Sequence, residues 1–290
     1  MSIAFDTMCL QCQMKRNLEL ARSLGTEEQA MDFVRDMMQV YLEGPRDVAS
    51  PWFTAHMEDL LRKHYGLPKD RMRKEKEASN AFVLERMDLL RRTALSAADP
   101  VYAGLQLAIL GNYLDFGALQ GKVSFDDLEQ MLADALKMEL DRTVFDRFCR
   151  ELEEGKQLLY LTDNAGEIGF DRVFAEMIQA RYPHLNITFC VRGDFALNDA
   201  TREDAAAVGV PFPVIDNGNR IPGTQLDQLS AEADRAIHSA DVIIAKGMAN
   251  CETLHGCGLN VYFAFLVKCQ RFVTRFGKPM FTPVLEAERK

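Results

Sequence analysis

The stretch QLLYLTDNAGEIGFDRVFAEMIQAR, residues 157–181, sets the reading of the whole chain. Gln157 to Thr162 is a short, mostly apolar run without alternation, the pattern of a strand buried on both faces. After Gly166 the apolar residues recur at three- and four-residue spacing, as on a helix. Strand-like runs recur at Asn186 to Val191, Phe212 to Ile215, Asp241 to Ala245 and Val261 to Val267. Helix-like segments near 167–181, 200–208, 225–239 and 250–257 alternate with them. This β-α alternation predicts an α/β fold built on a mostly parallel sheet. Right-handed crossovers then place the loop after each strand on one edge, where ligands bind.

Upstream the grammar differs. From residue 14 to about 150 the apolar clusters keep helical spacing, with breaks at Gly44-Pro45, Ser50-Pro51, Gly66-Leu67-Pro68, Asp99-Pro100 and Gly121. Five or six helices are expected, so residues 1–152 read as a helical region and 153–290 as the α/β domain. The charge run at 71–92 reads as a helix with a solvated face.

Composition bounds the function. The chain has 290 residues, 48% hydrophobic and 27% charged, which excludes disorder, collagen and coiled coil. A net charge of −9 argues against nucleic acid as a partner. The opening MSIAFDTMCLQCQMKR has no secretory pattern, and no uncharged apolar stretch approaches 18 residues. A cytoplasmic protein without a membrane partner is expected, with its seven cysteines reduced. The sequence leaves its oligomeric state open.

The strand-end loops carry the chemistry. Asp163 and Asn164 are adjacent oxygen donors suited to Mg²⁺, Mn²⁺ or a similar hard ion, or else form an Asx turn capping the next helix. The second loop adds Arg192, a phosphate donor or an ion-pair partner, with Asn198 and with Asp199, a candidate third ligand. Lys246 follows an apolar strand directly, where an ammonium can meet a phosphoryl group or reach into solvent, and Asn250 stands one turn on. The loop at 216–224 suits a turn as well as a ligand contact. Asn112 and Asp115, at i and i+3 in GNYLDFG, share a helix face and either find buried partners or face a cleft. This segment reads as an interruption of the apolar helix that starts near Val101. Cys9 and Cys12 form a CxxC, half of a zinc site that Cys251, His255 or Cys257 would have to complete; a redox role is weaker, because no strand precedes it. GxGxxG, GxxxxGK[ST], GxSxG, HxH and HExxH are all absent. So is the second Asp of haloacid-dehalogenase-type phosphatases.

Taken together, GNYLDFG (111–117), TDNAGE (162–167), RGDFALNDAT (192–201) and KGMANCETL (246–254) resemble the damage-control phosphatase family, and MCLQCQMKR resembles its CxxC-bearing, mainly prokaryotic branch. The resemblance implies a Rossmann-like domain under a helical N-terminal region, with one divalent metal, Mn²⁺, Co²⁺, Ni²⁺ or Mg²⁺, in the crevice. Asp163, Asn164 and Asp199 match the metal-ligand positions. Glu167, Arg192, Asn198, Asn250 and Lys246 match substrate or phosphate contacts, and Asn112 and Asp115 match pocket-lining positions. Cys251 departs from the aromatic residue expected there, which bears on substrate choice rather than on the metal.

The expected reaction is hydrolysis of phosphomonoesters of small metabolites. The metal and Lys246 hold the phosphoryl oxygens, and helix N-terminal amides near Gly166 add positive potential. The nucleophile is a metal-polarised water, or alternatively Asp163 or Asp199, with Glu167 as acid or base. Two other readings stand beside it: a module that binds a phosphometabolite without turning it over, and an S-adenosylmethionine-dependent carboxyl methyltransferase.

Overall fold

The structure, a computed structural model, describes residues 3–118 and 125–288; the side chains of residues 113–118 and 125–129 are outside that description. Among the described residues, eight helices precede the sheet: α1 (Thr7–Leu24), α2 (Glu27–Glu43), α3 (Ser50–Tyr65), α4 (Arg73–Leu84), α5 (Met87–Leu95), α6 (Pro100–Ala118), α7 (Phe125–Ala135) and α8 (Arg142–Glu154). That is more than the five or six expected. Polar caps start several of them. Asp6 accepts from the amides of Met8 and Cys9, both at 3.0 Å, and Thr26 and Gln29 close a capping box.

α6 runs unbroken through Gly111, contrary to the expected interruption. A Cβ at Gly111 would lie 3.1 Å from the Phe170 ring, so the missing side chain lets α6 press directly onto its neighbour. Burial of Leu105, Leu107, Ala108 and Ile109 outweighs the helix penalty of glycine, about 1 kcal/mol.

From residue 157 the chain alternates: β1 (Gln157–Leu161), α9 (Glu167–Arg181), β2 (Asn186–Val191), α10 (Arg202–Ala207), β3 (Val214–Asp216), α11 (Ala231–Ser239), β4 (Val242–Lys246), α12 (Gly247–Leu254), β5 (Val261–Leu266), α13 (Gln270–Phe276) and β6 (Pro283–Ala287). The strand order is β3-β2-β1-β4-β5-β6, that of a Rossmann-type sheet. Five strands are parallel; β6 pairs antiparallel with β5 and was not foreseen. It is a five-residue edge strand that starts at a proline and carries Glu286, so it lacks the apolar run that marks the others.

Much of the helical half shares a core with the sheet, while α1, α2 and α3 pack around a cluster of their own. Side chains of α5, α6 and α8 pack in a single cluster with α9 and one face of the sheet, whereas α11, α12 and α13 cover the other face. The change from helices to strands at Glu154–Gln157 is therefore a change of grammar within one packed body. No helix among the described residues is long and apolar enough to cross a membrane.

Candidate active site

From β1 the chain moves to β2 and β3 on one side, then returns to place β4 on the other, so the sheet's switch point lies between the C-terminal ends of β1 and β4. Two loops are stitched together there. The Ala165 amide donates to the Asn198 carbonyl at 2.9 Å, that of Ala200 to Asp163 at 2.8 Å, and that of Arg192 to Ala200 at 2.9 Å. Asn164 and Asp199 pair as an isolated bridge, with Leu197 held at φ 52° two residues before Asp199. Asp163, Asn164 and Asp199 thereby meet at one point, although 35 residues separate the two segments in sequence.

The side chains form a dense polar network beneath it. The Asn164 Nδ2 donates to Asp163 Oδ2 and to Glu167 Oε2, both at 2.8 Å. Asn112, reaching in from α6, donates to the same two oxygens at 2.8 and 2.9 Å. With its amide nitrogen committed to two carboxylates, Asn164 keeps its carbonyl oxygen for another partner.

Lys246 and Arg192 are both paired with buried carboxylates, which for Arg192 is the ion-pair alternative, here in the interior. The Lys246 Nζ is buried and donates to the Ala108 carbonyl, Glu167 Oε1 and Asp171 Oδ1, each at 2.7 Å, so all three of its hydrogens are used below the site. Arg192, 1% exposed, donates through Nε to Asp199 Oδ2 at 2.6 Å and through Nη2 to the Thr162 carbonyl at 3.2 Å. Both brace carboxylates from behind. Asn250, fully buried, ties α12 to the Thr162 and Lys246 carbonyls and accepts from Thr224. Asn198 is half-buried and contributes its carbonyl to the stitch. The Asp115 side chain lies outside the described residues.

Four carboxyls, Asp163, Glu167, Asp171 and Asp199, are buried around Lys246 and Arg192. Burial pushes the Asp163 carboxyl well above the usual range, and the neighbouring Glu167 and Asp199 add to the rise. Burial likewise raises Asp199 despite Arg192, and lifts Asp171 to about 7. For Glu167 burial works upward too, but Lys246, Lys268 and the Asn112 amide outweigh it and hold the group below its ordinary value. The centre thus holds more acid than its cations balance. A divalent ion among Asp163, Asp199 and the Asn164 carbonyl would relieve that excess with oxygen donors alone, so the residues present suit a hard cation.

Gly247 shapes the upper wall. Its φ is +79° and a Cβ there would fall 2.1 Å from Asp163 Oδ2, so backbone approach to the carboxylate needs glycine. Gly247→Ala is expected to displace Asp163 by about 1 Å and lower kcat about 100-fold, with a fall of a few degrees in Tm, as measured by turnover and thermal melting.

Two residues of the site went unread in the sequence. Asn80, inside the charge run, accepts from the Gly166 amide at 2.7 Å and donates to Asp204 at 2.8 Å, holding the turn that starts α9. Beside it Lys76 is 4% exposed and pairs with Asp204 at 2.7 Å, so this stretch is partly interior rather than a solvated face. The second is Lys268, two residues past the end of β5, whose charge pulls both the Asp163 and Glu167 carboxyls downward. A Lys following an apolar strand was the signal used for Lys246, and it would have found this one.

The CxxC does not close a zinc site with its proposed partners. Cys9 faces the Arg271 Nη1 at 3.1 Å, Cys251 is buried in the core, and His255 stands against Arg275. Among the described residues no three His, Cys, Asp or Glu side chains cluster as metal ligands, and the centre above draws on two Asp and one Asn. All seven cysteines are free thiols.

A Rossmann-order sheet with buried carboxylates stitched at its switch point, under a helical half that reaches into the crevice, defines a class of α/β proteins with an acidic cation-suited centre. The damage-control phosphatase ARMT1-like domain matches residues 5–282, and the chain belongs to that family. An uncharacterised protein of Methanocaldococcus jannaschii is 29% identical over 289 residues, covering 95% of this chain and 93% of that one. A damage-control phosphatase of Archaeoglobus fulgidus is 32% identical over 206 residues, 70% of each chain. The crystal structure of a DUF89 family protein from Pyrococcus horikoshii superposes with a TM-score of 0.84 at 25% identity, covering 99% of both chains.

Proposed function

We propose that the protein is a metal-dependent phosphatase acting on phosphomonoesters of small metabolites. The observation that carries this reading is the meeting of Asp163, Asn164 and Asp199 at the switch point inside a surplus of buried carboxyls. Family membership and the phosphatase names of the relatives support it. The three residues would hold a divalent ion, Mn²⁺, Co²⁺, Ni²⁺ or Mg²⁺, which when bound neutralises phosphoryl oxygens and lowers the pKa of water.

The chain's own contribution is positioning. Lys246 anchors Glu167, Glu167 and Asp163 fix the Asn164 amide, and Arg192 fixes Asp199, so each donor is set before substrate arrives. Lys268 adds positive charge that favours the ionised forms of Asp163 and Glu167. Glu167 has both oxygens engaged and acts as the anchor of the two amides rather than as a mobile proton carrier.

The test is phosphate release from a panel of phosphomonoesters by chelator-stripped protein, with and without each metal. Metal-restored release is expected, together with a Tm that rises on metal addition, by about 2.7 kcal/mol of stability at a hundredfold excess over Kd. Absence of both effects with every metal would reject the reading.

A further inference from the structure

Beside the carboxylate centre lies a cleft of about 650 Å³, far larger than one phosphate group needs and within the range of sites for whole metabolites. Its inner wall includes Met248, the residue after the Gly247 that abuts Asp163, and Lys268, whose charge acts on Asp163 and Glu167. The cleft lining thus comes within one residue of the chain that walls the centre, at Gly247–Met248.

α1 contributes much of the cleft's lining and lays one face along it. Met8, Cys12 and Lys15 form one row and Cys9, Gln13 and Arg16 the next, each at i, i+4 and i+7, so the wall extends about 12 Å. The charges along it are uneven for a chain of net charge −9. Lys15, Arg16, Lys268 and Arg271 face a single carboxylate, Glu252, among the described lining residues. Glu252 and Arg271 are mostly buried and paired with each other at 3.3 Å, and Arg271 also holds Asp6 at 2.8 Å. Lys15 and Arg16, by contrast, are exposed and make no salt bridge among the described residues. The cleft is thus lined by two adjacent cations that no carboxylate pairs with among the described residues.

We propose that the substrate carries a second anionic group, a carboxylate or a second phosphate, and that Lys15 and Arg16 bind it while the phosphate ester lies at the carboxylate centre. This inference rests on the phosphatase reading and narrows it to a substrate class. Both anions are recognised by the same chemistry, charge-assisted hydrogen bonds from Lys and Arg. α1 then acts as the specificity element of the helical half, and the substrate spans from it to the sheet edge.

The test compares matched substrates with the metal-loaded enzyme. The probes are a series of ω-carboxyalkyl phosphates against the ω-hydroxyalkyl phosphates of equal length, and a hexose bisphosphate against the hexose monophosphate. The expected kcat/KM is at least about tenfold higher for the doubly anionic member of a pair, mainly through KM, with the advantage shrinking as salt is raised. A preference confined to the carboxylates or to the bisphosphate identifies which anion the site takes. In the variant Lys15→Ser/Arg16→Ser, checked for an unchanged Tm, the ratio within each pair is expected to fall towards one. Equal rates in the parent enzyme, or a preference that survives the double substitution, would overturn the inference and leave the phosphatase reading standing. Release from neither member of any pair would remove both.

Discussion

Asp163→Ala is expected to remove metal-restored phosphate release, lowering kcat/KM about 10³-fold, while the protein remains folded and its Tm holds or rises. The two halves of this result have one origin. Asp163 is a buried carboxyl whose ionisation is resisted first by burial and then by Glu167 and Asp199, so deleting it relieves repulsion within the core. Its loss leaves Asn112 and Asn164 without one acceptor, but each still donates to Glu167. The activity loss should exceed the 10- to 100-fold typical of residues that only orient a metal ligand, because a proposed ligand itself is gone. Phosphate release with saturating Mn²⁺ and thermal melting on the same sample check both parts. A folded Asp163→Ala/Asp199→Ala double variant with full activity would sink the centre as assigned.

Lys246→Met is expected to do the reverse, acting first on stability. Removing the ammonium strands Glu167 and Asp171 as two carboxyls around an apolar chain, with the Ala108 carbonyl also left unpaired. Breaking a buried ion pair from one side costs about 3–5 kcal/mol, which for a chain of this size is a fall of roughly 10 °C in Tm. Denaturant unfolding measures it directly. Burial lowers the Lys246 ammonium, but Asp171 and Glu167 overcompensate and hold it above its ordinary value, so it stays charged across the working pH range. Activity should fall as well, since Glu167 then loses the partner that fixes it. Had Lys246 stood at the phosphoryl group, the substitution would instead abolish turnover with little change in stability, and the two measurements separate these roles.

The sequence carried the order of strands and helices where burial is two-sided. β1, β2, β4 and β5 are apolar runs because both faces are covered, and α9 keeps its boundaries within the expected 167–181. β6 escaped because an edge strand has one neighbour and needs no such run. The meeting of Asp163, Asn164 and Asp199 was legible because strand-end loops share one edge whatever the side chains do. What the sequence could not supply was direction. Lys246 was correctly placed at a strand tip, yet its side chain turns under the edge towards α6 and α9, a choice made by Glu167 and Asp171. Asn80 was hidden for a related reason: its partners are 86 and 124 residues away, and its own neighbourhood looks like any charged helix.

The sharing of one centre between both halves of the chain also fixes when that centre comes into being. Asn112 is made early, Asp163 and Asp199 follow, and Lys246 and Lys268 are among the last contributors to leave the ribosome. At about 5–20 residues per second, roughly 5 to 20 s separate synthesis of Asp163 from that of Lys268. Throughout that interval the nascent chain carries the acidic residues without the lysines that organise them, and β4, which closes the crevice, is still missing or unpaired. The full set of these side chains thus exists only once Lys268 has been made, and a product that stops before β4 lacks the lysine that pairs with Glu167 and Asp171.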